Sequence, residues 1–252
     1  MNVKPTELVG NSQQRLRRLG RYAREVTEQQ WRDALLELDR SRWGEYLDQN
    51  SGLPGPRANL TLAAVVAELA DADLAEQLLA STDEYRAMCG AIALAMRATD
   101  SLTQSRIREL ARDTQWRVRE AVAIGLQRLG DEDLRLVRAI VEEWSTADDF
   151  LVQRAAVATL CEPRLLRSPQ AAAAAIDACN AATASVGAAP AAARKDPAFR
   201  VLRQALGYCW SVAVAADPEP GLRAFRSLDE SDPDIAWIVA SNLTKKRLSR
   251  LL

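Results

Sequence analysis

A short helical pattern that recurs down the chain limits its fold more than any other feature. The segments VREAV (118–122), VQRAA (152–156) and LRQAL (202–206) align on Ala121, Ala155 and Ala205, which lie 34 and 50 residues apart. Asp113, Asp148 and Asp196 precede them and are placed to cap the helices that follow. Asp232 followed by Ala240, 35 residues beyond Ala205, makes a weaker fourth copy. A unit of roughly 35 residues holding two helices cannot enclose a core alone and must stack on its neighbours. The pattern therefore predicts an all-α fold, an α-solenoid of HEAT-like helical hairpins.

The rest of the chain reads as helix in the same way. Asn11 or Ser12 is placed to cap a first helix containing Leu16, Leu19, Ala23 and Val26, and a second surrounds Trp31, Leu35 and Leu38. SGLPGPRAN (51–59) breaks the chain. Beyond it the periodicity predicts one or two helices over 60–80, one over 84–97, then the pairs 102–112 with 114–129 and 132–144 with 149–161. An alanine-rich helix starts at 169 and is followed by SVGAAPAAARK (185–195), predicted as a loop. The last helices are expected at 197–215, 220–228 and 234–251. Residues 1–252 are expected to form one repeat domain, with 1–58 as an N-terminal helical cap and 59–252 as the repeats.

Periodicity also assigns faces. Val118, Ala121, Val122 and Gly125 follow the i, i+3, i+4, i+7 spacing of a buried helical stripe, as do Val152, Ala155, Ala156 and Thr159, and then Leu202, Ala205, Leu206 and Cys209. The opposite sides carry Trp116 and Glu120, then Phe150 and Arg154, then Arg200, Gln204 and Tyr208. Stacked second helices line the concave surface of a solenoid, so aromatics, arginines and one carboxylate are expected there together.

Composition narrows the chemistry. The sequence contains no histidine, which removes Ser-His-Asp and Cys-His catalysis and any histidine-bound zinc. Cys89, Cys161, Cys179 and Cys209 form no C-x-x-C pair and sit in apolar helical runs, as buried small hydrophobes do in a reducing, cytoplasmic compartment. No metal site and no cofactor is expected. The apolar runs are short and broken by charges, so no membrane span is expected, and MNVKPTELVGNSQQRLRR lacks the apolar core of a secretory signal. A net charge of −1 argues against a general nucleic-acid coat but leaves room for a local basic stripe. Two clusters invite that reading, RLRRLGRYAR (15–24) and KKR (245–247). Each has an equally ordinary one, as a solvated helix face and as cations near a helix terminus respectively.

Trp116 and Glu120 are four residues apart on one helical face, where an indole ring and a carboxylate can together hold a cation. The alternative is that Trp116 packs beneath a neighbouring helix while Glu120 pairs with Arg117, Arg119 or Arg154.

Three segments resemble, in order and in register, the AlkD family of HEAT-like-repeat alkylpurine DNA glycosylases. They are QWRVREAV (115–122), WSTADDFLVQRAAV (144–157) and RQALGYCWSVAVAADP (203–218), and the likeness spans roughly residues 110 to 230. The resemblance implies that Trp116 stands at the family's first catalytic tryptophan, Glu120 at its catalytic aspartate, Arg154 at its DNA-backbone arginine and Tyr208 at its second catalytic tryptophan. It further implies that the concave face wraps duplex DNA. The aromatics would contact the lesion's deoxyribose, and the carboxylate would stabilise positive charge on that sugar as a cationic N3- or N7-alkylated purine leaves, without the base being flipped into a pocket. Such a leaving group needs no general acid. Arg119, Arg200, Arg203, Lys245 and Lys246 are further cations expected to meet phosphate. The glutamate at 120 and the tyrosine at 208 depart from the family pattern. The former keeps the charge but displaces it by about an ångström. The expected protein is a monomer of AlkD type that binds duplex DNA, with excision of alkylated purines as its candidate activity; the alternative is a non-catalytic scaffold that takes a protein partner on the same face.

Overall fold

The structure, a computed structural model, describes residues 28–252. The expected cap at Asn11 or Ser12 and the basic stretch 15–24 lie outside the described residues. Among the described residues all regular structure is helical. Helical residues 28–37 (α1) and α2 (Trp43–Asn50) lead into α3 (Leu60–Leu69). Hairpins follow: α4 (Ala72–Leu79) with α5 (Glu84–Ala95), α6 (Ser101–Leu110) with α7 (Trp116–Glu132), α8 (Leu134–Ser145) with α9 (Phe150–Leu160), and α10 (Pro169–Ala188) with α11 (Pro197–Ala216). Then come α12 (Pro218–Arg226), α13 (Pro233–Leu243) and α14 (Lys246–Ser249). The second helices α5, α7, α9, α11 and α13 pack against one another in that order, while α8, α10 and α12 stack behind them. This is the HEAT-like solenoid that the repeat predicts.

The predicted stripes are the contacts that build it. Val118, Ala121, Val122, Gly125, Val152, Ala155, Ala156, Thr159, Leu202, Leu206 and Cys209 are buried; Ala205 alone is half-buried. One apolar core runs from Leu35 to Leu248. Two of its largest members, Trp210 and Tyr85, also satisfy their polar atoms, as a buried indole or phenol tends to. Trp210 on α11 donates to the Thr183 hydroxyl on α10 at 3.0 Å, and the Tyr85 hydroxyl donates to the Asn59 carbonyl at 2.6 Å. All four cysteines are buried and free, with Cys161 Sγ 3.7 Å from Cys179 Sγ. Burial pushes the Cys89 thiol well above its ordinary range.

Aspartates precede the helices, with two shifts from expectation, the first being that α7 starts from Gln115 with no side-chain cap, so Asp113 does not cap it. Asp196 accepts from the Ala198 amide at 2.8 Å and Asp232 from the Asp234 amide at 2.8 Å. Asp113 accepts from Gln115, one residue ahead of α7, at 2.7 Å. For α9 the cap is Asp149 rather than Asp148. Asp149 directly precedes Phe150 in an extended conformation, and its carboxylate takes the Leu151 and Val152 amides at 2.8 and 3.1 Å.

The segment 185–195, predicted as a loop, is largely ordered by helix. SVGA continues α10 to Ala188, and Ala193–Lys195 forms a 3₁₀ turn. Arg194 explains why this stretch is held. It donates to the Gly187 and Ala189 carbonyls at the end of α10, each at 3.0 Å, and to Asp232 and Asp234 at the start of α13 at 2.6 and 2.8 Å. The predicted helix over 234–251 is two helices, interrupted at Thr244 and Lys245.

Two glycines of α7 test the packing in opposite directions. A Cβ on Gly125 would stand 2.6 Å from the Ile92 carbonyl oxygen and 2.5 Å from Ala95 Cβ on α5, whereas one on Gly130 would meet only the tip of Leu165, at 3.2 Å. Alanine gains about 1 kcal/mol of helix propensity at either site. At Gly125 the overpacking of helix against helix outweighs that gain, costing about 1–3 kcal/mol. In urea denaturation Gly125→Ala should lose about 1–2 kcal/mol while Gly130→Ala is neutral or slightly stabilising; the reverse order contradicts this account.

Arg194 generates a pH prediction. Its hydrogen bonds hold the Asp232 carboxyl below the usual carboxylate range. A carboxyl with a depressed folded pKa adds stability that is fully present above the unfolded value, about 3.9, and is lost as pH falls through the folded value. Arg194→Ala should therefore lower stability at neutral pH and flatten its fall between about pH 5 and pH 2, as measured by denaturation across that range.

Candidate functional site

Because each capping turn starts a second helix in the same phase, equivalent positions of α7, α9 and α11 face the same way. Trp116, the first residue of α7, is 56% exposed, and Tyr208 on α11 is 46% exposed. The alternative in which Trp116 packs beneath a neighbouring helix is thereby excluded. Phe150 departs from the expected pattern. It is half-buried because Phe199 packs edge-on against it, with ring centroids 5.4 Å apart at 81°.

An ion pair joins α7, the helix of Trp116, to the next second helix, α9. Glu120 on α7 accepts from Arg154 on α9, which also donates to the Arg119 carbonyl at 3.4 Å. Of the three arginines within sequence reach of Glu120, the partner is thus Arg154. Its side chain is 17% exposed and that of Glu120 40% exposed, so the carboxylate is the more accessible half.

Each exposed ring carries a guanidinium. Arg117 lies 4.4 Å from the Trp116 ring centroid and pairs with Glu84 on α5 at 3.3 Å. Arg247 lies 5.0 Å from the Tyr208 ring centroid and donates to its hydroxyl at 2.8 Å. Tyr208 stands on a pinned turn. Buried Asn242 of α13 donates to the Leu206 carbonyl and accepts from the Ser211 amide, each at 2.9 Å, and the Ser211 hydroxyl donates to the Tyr208 carbonyl at 2.7 Å.

The other expected phosphate contacts divide into engaged and open groups. Arg119 turns back onto the Asp113 and Thr114 carbonyls, the latter at 3.0 Å. Arg203 pairs with Asp234 and lies 4.6 Å from the Trp237 ring centroid. Both are engaged within the fold. Arg200 and Lys246 are exposed and Lys245 half-buried, and none forms an ion pair among the described residues.

Sequence reasoning missed Trp237 and Glu84, named Arg117 only as a candidate partner of Glu120, and took Arg247 only as part of the KKR cluster. Trp237 aligns through Ala240 with the stripe residues Val118, Val152 and Leu202, a register that marks it as buried. It is 39% exposed and lies over Gly207, where a Cβ would approach its ring to 2.8 Å. The KKR cluster was the signal for Arg247. Among the described residues no group of three or more acidic, cysteine or histidine side chains could hold a metal ion, and no helix is long and apolar enough to cross a membrane.

The partial exposure of the Glu120–Arg154 pair bears on how it can be probed. Glutamine at 120 keeps an acceptor for Arg154 and deletes only a screened charge, worth less than about 1 kcal/mol. Glu120→Gln should melt within about 4 °C of wild type in calorimetry; a larger drop would make the pair a structural requirement rather than a usable probe of function.

The fold has a known counterpart. The crystal structure of AlkD2 from Streptococcus mutans superposes with a TM-score of 0.61 over 82% of this chain and 98% of that one, at 15% sequence identity. No protein-family model matches the sequence, and no curated protein matches it significantly. At 15% identity the likeness is one of architecture: the chain has an AlkD-like, HEAT-like helical-repeat fold.

Proposed function

We propose that the chain binds duplex DNA on the open face of its second helices and excises cationic N3- or N7-alkylated purines there. The observation that supports this reading is the Glu120–Arg154 ion pair joining α7 to α9, with Trp116 exposed on α7 and Tyr208 exposed on α11. A nucleotide with an alkylated purine offers matching chemistry: an anionic phosphate for Arg154, a sugar edge for the aromatic rings, and positive charge for Glu120. As the glycosidic bond breaks, the bonding electrons leave with the base, which departs neutral, and the positive charge moves to the sugar. An ionised carboxylate beside the sugar stabilises that charge, and water then completes the hydrolysis. The guanidinium has five N–H donors, so Arg154 can meet a phosphate oxygen without fully releasing Glu120. No histidine is needed, because the leaving base requires no proton.

A second reading has an observation of its own. Arg117, Arg154 and Arg203 each face a carboxylate, Glu84, Glu120 and Asp234. These pairs offset part of the arginine charge there, as suits a scaffold with a protein partner.

One assay separates the two. Wild-type protein incubated with duplex containing N7-methylguanine should release the free base and leave abasic sites. Glu120→Gln should slow release by roughly 100-fold or more while duplex affinity is retained. Absence of both base release and salt-dependent duplex binding would overturn the DNA reading and favour the scaffold.

A further inference from the structure

The positive charge that the central site lacks is concentrated at the C-terminal end of the same face. Lys245, Lys246, Arg247 and Arg250 fall within six residues on and around α14, and none forms an ion pair among the described residues. Fully buried Leu248 anchors α14, which packs on α11 and α13. That anchor brings Arg247 to Tyr208. The guanidinium Nη2 donates to the phenol oxygen at 2.8 Å, and Arg247 also borders a cleft with Pro163, Leu166, Val212, Ala215 and Ala216.

We infer that Arg247 and Tyr208 together form a phosphodiester contact for the nucleic-acid backbone, beyond the contact assigned to Arg154. The inference rests on the DNA reading and assigns it a second anchoring point. Three physical features support it. An arginine hydrogen-bonded along one edge has already lost much of its rotamer freedom, so a ligand that binds its other edge does not bear that cost. The phenol accepts from Arg247 and keeps its own O–H, so one phosphate oxygen can receive a guanidinium N–H and a phenol O–H side by side. And Arg247, unlike Arg117, Arg154 and Arg203, has no carboxylate competing for it among the described residues. Tyrosine is essential to this arrangement. An indole at position 208 has no acceptor oxygen and would leave Arg247 unanchored.

The test is a salt titration of binding to an unmodified duplex, with wild type, Arg247→Ala, Tyr208→Phe and the double variant. Loss of one phosphate contact lowers the magnitude of the slope of log affinity against log salt by about 0.9. Arg247→Ala should show that reduction and bind about tenfold more weakly. Tyr208→Phe removes only a hydroxyl, so it tests the contact without a packing defect. It should weaken binding several-fold, and the double variant should be no weaker than Arg247→Ala alone. If wild type binds with a steep salt dependence and neither single variant changes affinity or slope, this inference is overturned while the DNA reading stands. If wild type shows no salt-dependent duplex binding, both are overturned.

Discussion

Successive second helices approach one another closely because the residues between them are small. Gly125 touches the backbone of α5, and the stripes of α7 and α9 consist of valine, alanine, glycine and threonine. Close packing of this kind fixes helix rotation as well as separation, because a turned helix would drive a larger side chain into its neighbour's backbone. The side chains on the opposite side of these helices inherit that constraint. Trp116, Glu120, Arg154 and Tyr208 share a surface because the residues opposite them cannot face anywhere but inward.

The features that could be read from the sequence are those determined within one helix. Periodicity identified the buried stripes of α7, α9 and α11, and nearly every predicted member is buried. The aspartate before each helix was equally visible, although two adjacent candidates, Asp148 and Asp149, could be resolved only by the backbone conformation of Asp149. What remained hidden depends on partners far apart in the chain. SVGAAPAAARK looks like a loop because its composition is permissive, yet Arg194 ties it to aspartates 38 and 40 residues later. Phe150 was assigned to the wet face on periodicity alone, and Phe199, from the next hairpin, covers it. The candidate site divides in the same way. The facing of Trp116 and Glu120 follows from one helix, whereas the selection of Arg154 over Arg117 and Arg119 as the partner of Glu120 depends on the packing of α7 against α9.

Electrostatic pairing accounts for how a chain of net charge −1 can present so many arginines. Three guanidiniums of the second helices are matched by a carboxylate of a neighbouring helix: Arg117 by Glu84, Arg154 by Glu120 and Arg203 by Asp234. These partly exposed pairs contribute little to stability individually. Their main effect is to orient the arginines and to cancel long-range field there. Cations without an acidic partner among the described residues are left at Arg200 and, as a cluster, at Lys245, Lys246, Arg247 and Arg250.

The glutamate at position 120 acquires a physical reason in this setting. Its carboxylate must cross the gap between two helices to reach Arg154, and aspartate on the same Cα would be shorter by one C–C bond, about 1.5 Å. The longer side chain reaches Arg154 directly, and the ion pair changes what the site can bind. A bare carboxylate attracts any cation. A carboxylate already facing a guanidinium has a weaker field and is selective for a ligand that satisfies both partners at once, with a negative group for Arg154 and a positive one for Glu120. On the proposed reading, an alkylated purine nucleotide has that pair of charges, a phosphodiester and a cationic base, whereas an undamaged nucleotide carries only the first. Pairing would then weaken the attraction for ordinary DNA and leave the difference between damaged and undamaged nucleotides to the half of the pair that only the lesion can satisfy.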